Sequence, residues 1–435
     1  MSISPPVAGI VFFALLFVFL FLEQPIGYAM AFLGMVGVVL LIHFPGALDT
    51  LATVPFETIS SYGLTVLPMF LLMGNIAHEV GMAGRLYSAA YSWVGQARGG
   101  LAMSTIMGCA GFAAICGSSL ATAGTFGLVA APEMRKYDYD PRLATGSIAV
   151  GGTLGILIPP STTFIIYGIL TEESIGKLFI AGILPGIMLA GLFIVVIYVW
   201  TKIKPNLGPP APRTNIRQKL RALASVSETL LLFLLVIGGL FLGWFTPTEA
   251  GAAGAGGAII IGLARKNMTW KKMVAALWST GLTTGMMFMI ISGAMIFSRF
   301  LTVSNLPYIV SEFVSGLPLS PIGILVMILL IYVLLGCLMD TLAMLLLTLP
   351  IFYPVILTLG FDPIWFGVII VVVCETGMIT PPIGVNCFVL GGVLKDVPLT
   401  TIFKGIFPFL PALFTCFALL IAFPEIALFL PGIMG

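Results

Sequence analysis

Long apolar stretches fill this chain, separated by short polar punctuation. Runs long enough to cross a bilayer lie near 6–22, 25–43, 63–82, 178–200, 227–244, 247–264, 274–298 and 405–431. Two further runs, 143–171 and 363–394, are equally long but carry Pro159-Pro160 and Pro381-Pro382 at their centres. Adjacent prolines remove two backbone donors and forbid the preceding helical turn, so each of these runs is expected to be a discontinuous helix. Two more regions, about 101–132 and 321–357, are apolar but interrupted by C-G-S-S-L-A-T (Cys116 to Thr122) and G-C-L-M-D-T (Gly336 to Thr341). Polar backbone at membrane depth is tolerated only when protein buries it or a water-filled cavity meets it. These two regions therefore read as re-entrant hairpins with polar tips. R-L-Y-S-A-A-Y-S-W (Arg85 to Trp93) and V-S-N-L-P-Y-I-V-S-E-F (Val303 to Phe313) are too short or too polar to cross, and read as interfacial helices over 84–96 and 302–316.

The prolines also disclose a repeat. Pro25, Pro132, Pro141, Pro159 and Pro160 each find a proline 222 positions later, at Pro247, Pro354, Pro363, Pro381 and Pro382. Chance placement of the prolines would give about 0.7 such matches. The same offset pairs Asp140 with Asp362, Gly155 with Gly377, and Ser118-Ser119 with Asp340-Thr341. The chain thus divides into a first copy (1–200), a polar linker (201–226) and a second copy (227–435).

Charge orients the copies. The linker holds Lys202, Lys204, Arg213, Arg217, Lys219 and Arg221, which places it in the cytoplasm by the positive-inside rule. Arg98, Arg135, Lys136, Arg142, Arg265, Lys266, Lys271 and Lys272 fall on the same side if each copy makes five crossings and one re-entrant hairpin. Five is odd, so the copies face opposite ways and both chain termini are expected on the periplasmic side. The opening M-S-I-S-P-P-V-A-G-I has no Lys or Arg before its apolar run and reads as a retained first span.

Composition agrees: 59% of the residues are hydrophobic and 8% charged, against about a quarter charged in soluble domains. The six cysteines lie in apolar stretches without metal-ligand spacing. No basic stripe with interleaved aromatics suggests nucleic acid, and no Walker loop, Ser/His/Asp set or metal motif suggests an enzyme. Inverted repeats with discontinuous helices are the architecture of secondary transporters, which hold ligand and ion near the midplane. Freed carbonyls, hydroxyls and a carboxylate suit a hard cation. Two cation sites related by pseudo-symmetry are therefore expected, one at each tip facing its break, with an anionic substrate between the tips. Asp340 stands out, because a carboxylate at membrane depth is costly; a helix-capping role is the competing reading. Glu375 is either a polar wall residue or a structural partner. Arg299 either snorkels to the interface or meets a substrate carboxylate. His78-Glu79, Glu23 and Glu249 sit at span ends and read as interfacial. The sites should not be equivalent, because Thr380 and Asn386 have Ile158 and Phe164 as counterparts.

C-G-S-S-L-A-T-A-G with its downstream A-A-P-E-M, together with G-I-L-I-P-P-S, M-D-T and C-E-T-G-M-I-T-P-P-I-G-V-N, resembles the large membrane subunit of the TRAP (tripartite ATP-independent periplasmic) transporters. The resemblance covers essentially the whole chain. It implies an all-α, elevator-type permease of the bacterial inner membrane that couples sodium to the symport of an organic acid and needs no cofactor beyond Na+. It implies two partners besides membrane lipid: a periplasmic substrate-binding protein and a small four-helix membrane subunit, here a separate chain. Carried onto this sequence, the sodium ligands expected are Gly117, Ser118, Ser119, Gly152 and Pro159 in the first copy and Asp340, Thr341, Gly377, Thr380 and Asn386 in the second. Ser119, Thr122, Ser161, Thr162, Thr341, Pro382 and Arg299 are the expected substrate contacts. Spans such as 6–43 and 227–264 would form the scaffold, and the interfacial helices would be arms to a moving domain of hairpins and broken helices. A stand-alone carboxylate symporter, a sodium/proton antiporter and, more remotely, a channel or intramembrane enzyme remain open at this point.

Overall fold

The structure is a computed structural model that describes residues 4–434. Met1 to Ile3, which open the stretch read as a retained span, lie outside the described residues. Every regular element among the described residues is helical. Counterparts recur at the offset the prolines disclosed. Helix Ile26–Leu41 is answered by Pro247–Ala264, hairpin limbs Gly100–Cys116 and Ser119–Lys136 by Pro321–Gly336 and Thr341–Thr358, and half-helices Pro141–Leu157 and Thr162–Thr171 by Pro363–Met378 and Val385–Val393. Helices Met82–Val94 and Leu306–Ser315 lead into the hairpins, their ends within one to four residues of the interfacial segments expected.

The copies interlock through glycine. Helix Ile26–Leu41 packs along Trp270–Val303 of the other copy, where Gly293 meets the carbonyl of Gly27 so closely that any Cβ would collide with it. The pseudo-equivalent pair is Pro247–Ala264 on Val66–Glu79, where Gly251 and Gly254 receive Met69 and Met73. In lipid, where apolar burial drives little helix association, close backbone approach across small residues supplies the contact. Each copy's second helix therefore needs the other copy as its partner.

Two elements depart from the sequence expectation. Helix Phe44–Ser60 was not anticipated, because Asp49, Glu57 and four threonines and serines make it too polar to resemble a span. It bends 53° into Tyr62–Glu79, whereas its counterpart is one straight run of 34 residues, Trp270–Val303. The joint is Ser61, extended at φ −64° and ψ 120°, whereas its counterpart Thr283 lies inside the continuous helix. The run expected as one span over 405–431 is divided into Leu399–Ile406, a short 3-10 turn, Leu410–Ala422 and Glu425–Ile433. Pro408, Pro411 and Pro424 stand at these joints.

The linker is not a free tether. Gly99 and Asp140 donate their backbone N–H groups to the carbonyls of Gly208 and Leu207, and Ala211 donates to Gly95, so it closes over the base of the first hairpin and first broken helix. Asp140 caps that helix through the Arg142 amide, and the Arg142 guanidinium holds its carboxyl below the usual carboxylate range. Gly293→Val tests the interlock: overpacking at a backbone contact is expected to cost about 1–3 kcal/mol, seen as a lower unfolding midpoint in detergent, while Gly432→Ala, with open space around its Cβ position, leaves the midpoint unchanged.

Candidate functional site

The first hairpin turns at Gly117, whose φ of +66° favours glycine. A Cβ there would also stand 2.6 Å from the Pro160 carbonyl oxygen. Ser118 then caps the returning limb, its hydroxyl accepting from the Ala121 amide at 3.3 Å. Across from this tip the first broken helix stops at Leu157 and resumes at Thr162, capped by the Ser161 hydroxyl, which accepts from the Phe164 amide. Tip and break are tied together: the Gly117 carbonyl accepts from Thr162 N at 3.3 Å and from Thr162 Oγ1 at 2.9 Å. Thr122 donates to the Ser118 carbonyl at 2.8 Å. Gly152 and Gly155 let the broken helix press on this limb, with Ser118 O 2.6 Å from a Cβ built on Gly155.

The second copy repeats the plan with different chemistry. Asp340 takes the capping place of Ser118, its carboxylate accepting from the Ala343 amide at 3.0 Å. The Ile383 amide donates to the Cys337 carbonyl at 3.2 Å, again from break to tip. Gly336 and Gly377 touch backbone to backbone, the Gly336 Cα lying 2.6 Å from a Cβ built on Gly377. Thr380 turns inward on its own helix, donating its hydroxyl to Thr376 O at 2.6 Å and its amide to Gly377 O at 2.9 Å. Behind the tip lies Glu375, 1% exposed, with the Thr341 hydroxyl 3.4 Å and the Asn386 amide nitrogen 3.5 Å from its carboxylate oxygens. Ser119 of the first hairpin also stands near this carboxylate.

The tips converge on one cavity of about 110 Å³. Ser118, Ser119, Thr162 and Thr163 line it from the first copy, and Asp340, Thr341 and Met378 from the second. Leu120, Ile156 and Leu342 add apolar surface, and the scaffold side is Thr283, Met286 and Met287 of Trp270–Val303, the helix along which Ile26–Leu41 packs. Of the expected residues, Ser118, Ser119, Thr162, Asp340 and Thr341 thus meet in one place. Gly117, Thr122, Gly152, Ser161, Gly377, Thr380 and Asn386 sit in the layer that shapes the tips and breaks, and Pro159 and Pro382 lie within the breaks themselves. Arg299 is not brought there. It lines a separate cavity of about 500 Å³ with Glu57 and Glu172, about 24 Å further along its helix than Thr283 at 1.5 Å per residue. The residues not anticipated are Thr163, the scaffold wall Thr283, Met286 and Met287, and the reach of Glu375 to both hairpins.

A cleft of hydroxyls, freed carbonyls and one carboxylate, set between packed scaffold helices and two polar-tipped hairpins, defines a membrane carrier of the inverted-repeat class. Residues 13–426 match the family model described as "Tripartite ATP-independent periplasmic transporter, DctM component". The chain belongs to that family, the large permeases of TRAP transporters. It is 37% identical over 405 residues to the C4-dicarboxylate TRAP transporter large permease protein DctM of Pseudomonas aeruginosa, covering 93% of this chain and 94% of that one. It is 31% identical to the sialic acid TRAP transporter large permease protein SiaM of Vibrio cholerae, over 95% and 96% of the two chains. These relatives are named as permeases, not as enzymes. Among solved structures, the YdaH transporter of Alcanivorax borkumensis shares the fold with a TM-score of 0.59 at 15% identity, over 88% of this chain and 90% of that one.

Thr162→Val keeps the shape but removes the hydroxyl given to Gly117. Losing that bond is expected to weaken the tip by about 1 kcal/mol, read as about five-fold faster amide exchange around Gly117–Ser119 and no change in Trp270–Val303.

Proposed function

We propose that this permease couples sodium entry to uptake of an organic acid through the cleft between the hairpin tips. The observation that carries this reading is the convergence of Ser118, Ser119 and Thr162 with Asp340 and Thr341 on one cavity against the scaffold helix. The oxygens gathered at the tips are hydroxyls, carbonyls and carboxylates, a hard donor set that suits Na+. One ion would sit at the Ser118-Ser119 tip, with Gly117, Gly152 and Pro159 around it. The other would sit at the Asp340-Thr341 tip, with Gly377, Thr380 and Asn386. Neutralising the tips would allow an anionic substrate to lie between them on Ser119, Thr122, Ser161, Thr162, Thr341 and Pro382. Relatives named for C4-dicarboxylates and for sialic acid favour an organic acid. Arg299, in its own cavity with Glu57 and Glu172, has no place in that first contact.

Movement in this reading is of the elevator type, with hairpins and broken helices sliding as a body against Ile26–Leu41, Val66–Glu79, Pro247–Ala264 and Trp270–Val303. The chain would lie in the bacterial inner membrane with both termini in the periplasm, take substrate from a soluble binding protein there, and pair with a small membrane subunit.

Two outcomes test this. In proteoliposomes holding the permease, its small subunit and the loaded binding protein, uptake is expected to rise at least ten-fold with an inward sodium gradient over an equal potassium gradient; equal rates sink the coupling. A cysteine pair at Met287 and Leu342, bridged by a bifunctional maleimide, is expected to stop uptake if scaffold and hairpins must slide. Full activity in the bridged carrier excludes that motion.

A further inference from the structure

Glu375 is the one strongly buried carboxylate that the description above leaves without a task. It is 1% exposed, and no salt bridge among the described residues includes it. An unpaired charge so placed is costly, yet no cationic side chain pairs with it among the described residues. Thr341 Oγ1, which also lies 2.8 Å from Met378 Sδ, is 3.4 Å from one carboxylate oxygen, Asn386 Nδ2 is 3.5 Å from the other, and Ser119 stands nearby on the opposite hairpin. The Asn386 side chain is fully buried, and its Oδ1 has no partner. An oxygen–oxygen spacing of 3.4 Å is long for a hydroxyl–carboxylate bond. It matches two ligands held at right angles about 2.4 Å from a hard cation, which stand about 3.4 Å apart.

Resting on the sodium-symport reading, we propose that Glu375 supplies the fixed negative charge of the second cation site, with Thr341 Oγ1, Asn386 Oδ1 and Ser119 Oγ completing an oxygen pocket behind the tips. Asp340, placed beside that ion in the reading above, then caps its limb on the cleft and leaves the charge of the site to Glu375. It occupies the same place as Ser118, and its carboxylate accepts from the amide of Ala343 at 3.0 Å. The counterpart of Glu375 is Thr153, which donates to its own helix at Val150 O. The charge is therefore unique to the second copy. Because the carboxylate reaches both hairpins, an ion bound there draws the two tips together.

The test uses the permease with its small subunit in lipid nanodiscs, titrated with NaCl against KCl at constant ionic strength, reading both the unfolding midpoint and uptake. Glu375→Gln is expected to raise the half-stabilising sodium concentration at least ten-fold. Asp340→Asn is expected to slow uptake while shifting that concentration less than two-fold. If Glu375→Gln does not fold, Glu375→Asp, which withdraws the carboxylate by one methylene, is expected to shift it at least three-fold. Wild-type sodium stabilisation in the Glu375 variants overturns the assignment and leaves symport standing. A wild-type protein indifferent to sodium overturns symport and the assignment with it.

Discussion

A backbone carbonyl stranded inside a membrane must find a donor, and the whole core of this molecule is arranged around meeting that demand at two places. Each broken helix exposes groups that lipid cannot satisfy, and in each copy the hairpin tip meets the break: Thr162 donates to Gly117, and Ile383 to Cys337. Close contact follows from the same need. Gly117 leaves room for the Pro160 carbonyl, and Gly377 lies flat on Gly336. Larger residues would hold tip and break apart and leave both unsatisfied. The hairpins are thus the missing surroundings of the broken helices, and neither element is stable in lipid alone.

From this pairing comes a layered division of labour. Interlocked helices provide a wall built on glycine contacts, rich in apolar surface and poor in charge. The hairpins and half-helices carry nearly all the inward-facing oxygens. The cleft between the tips lies where these layers touch, with Met286 and Met287 on its scaffold side. Methionine fills irregular gaps and repacks easily, which suits a wall that has to face ligands of differing shape.

Much of this was legible in the residues themselves. Prolines constrain the backbone wherever they stand, so paired prolines at one offset disclosed both copies and both breaks, and polar tips in apolar runs disclosed the hairpins. Phe44–Ser60 was not legible, because a helix that lies partly exposed with Asp49 and Glu57 on it carries neither a spanning pattern nor a soluble one. The cleft wall was hidden for another reason: Thr283, Met286 and Met287 are ordinary residues of a long span, and only the packing of another copy's hairpin gives them a role. Glu375 lay in plain sight as a charge among valines, yet its neighbours Ser119 and Asn386 are far apart in the chain. Arg299 shows the opposite failure. An arginine in a span of a carrier invites a substrate contact, and the length of its helix carries it to a separate cavity.

One asymmetry between the copies has a mechanical meaning. In the first copy the chain bends 53° between Phe44–Ser60 and Tyr62–Glu79, while in the second the same stretch is an unbroken helix of 34 residues. That rod, about 51 Å long at 1.5 Å per residue, borders the cleft at Thr283 and the second cavity at Arg299. It is a ruler built into the molecule: each helical turn marks about 5.4 Å, and the position of the hairpin tips in any other state can be read against its graduations.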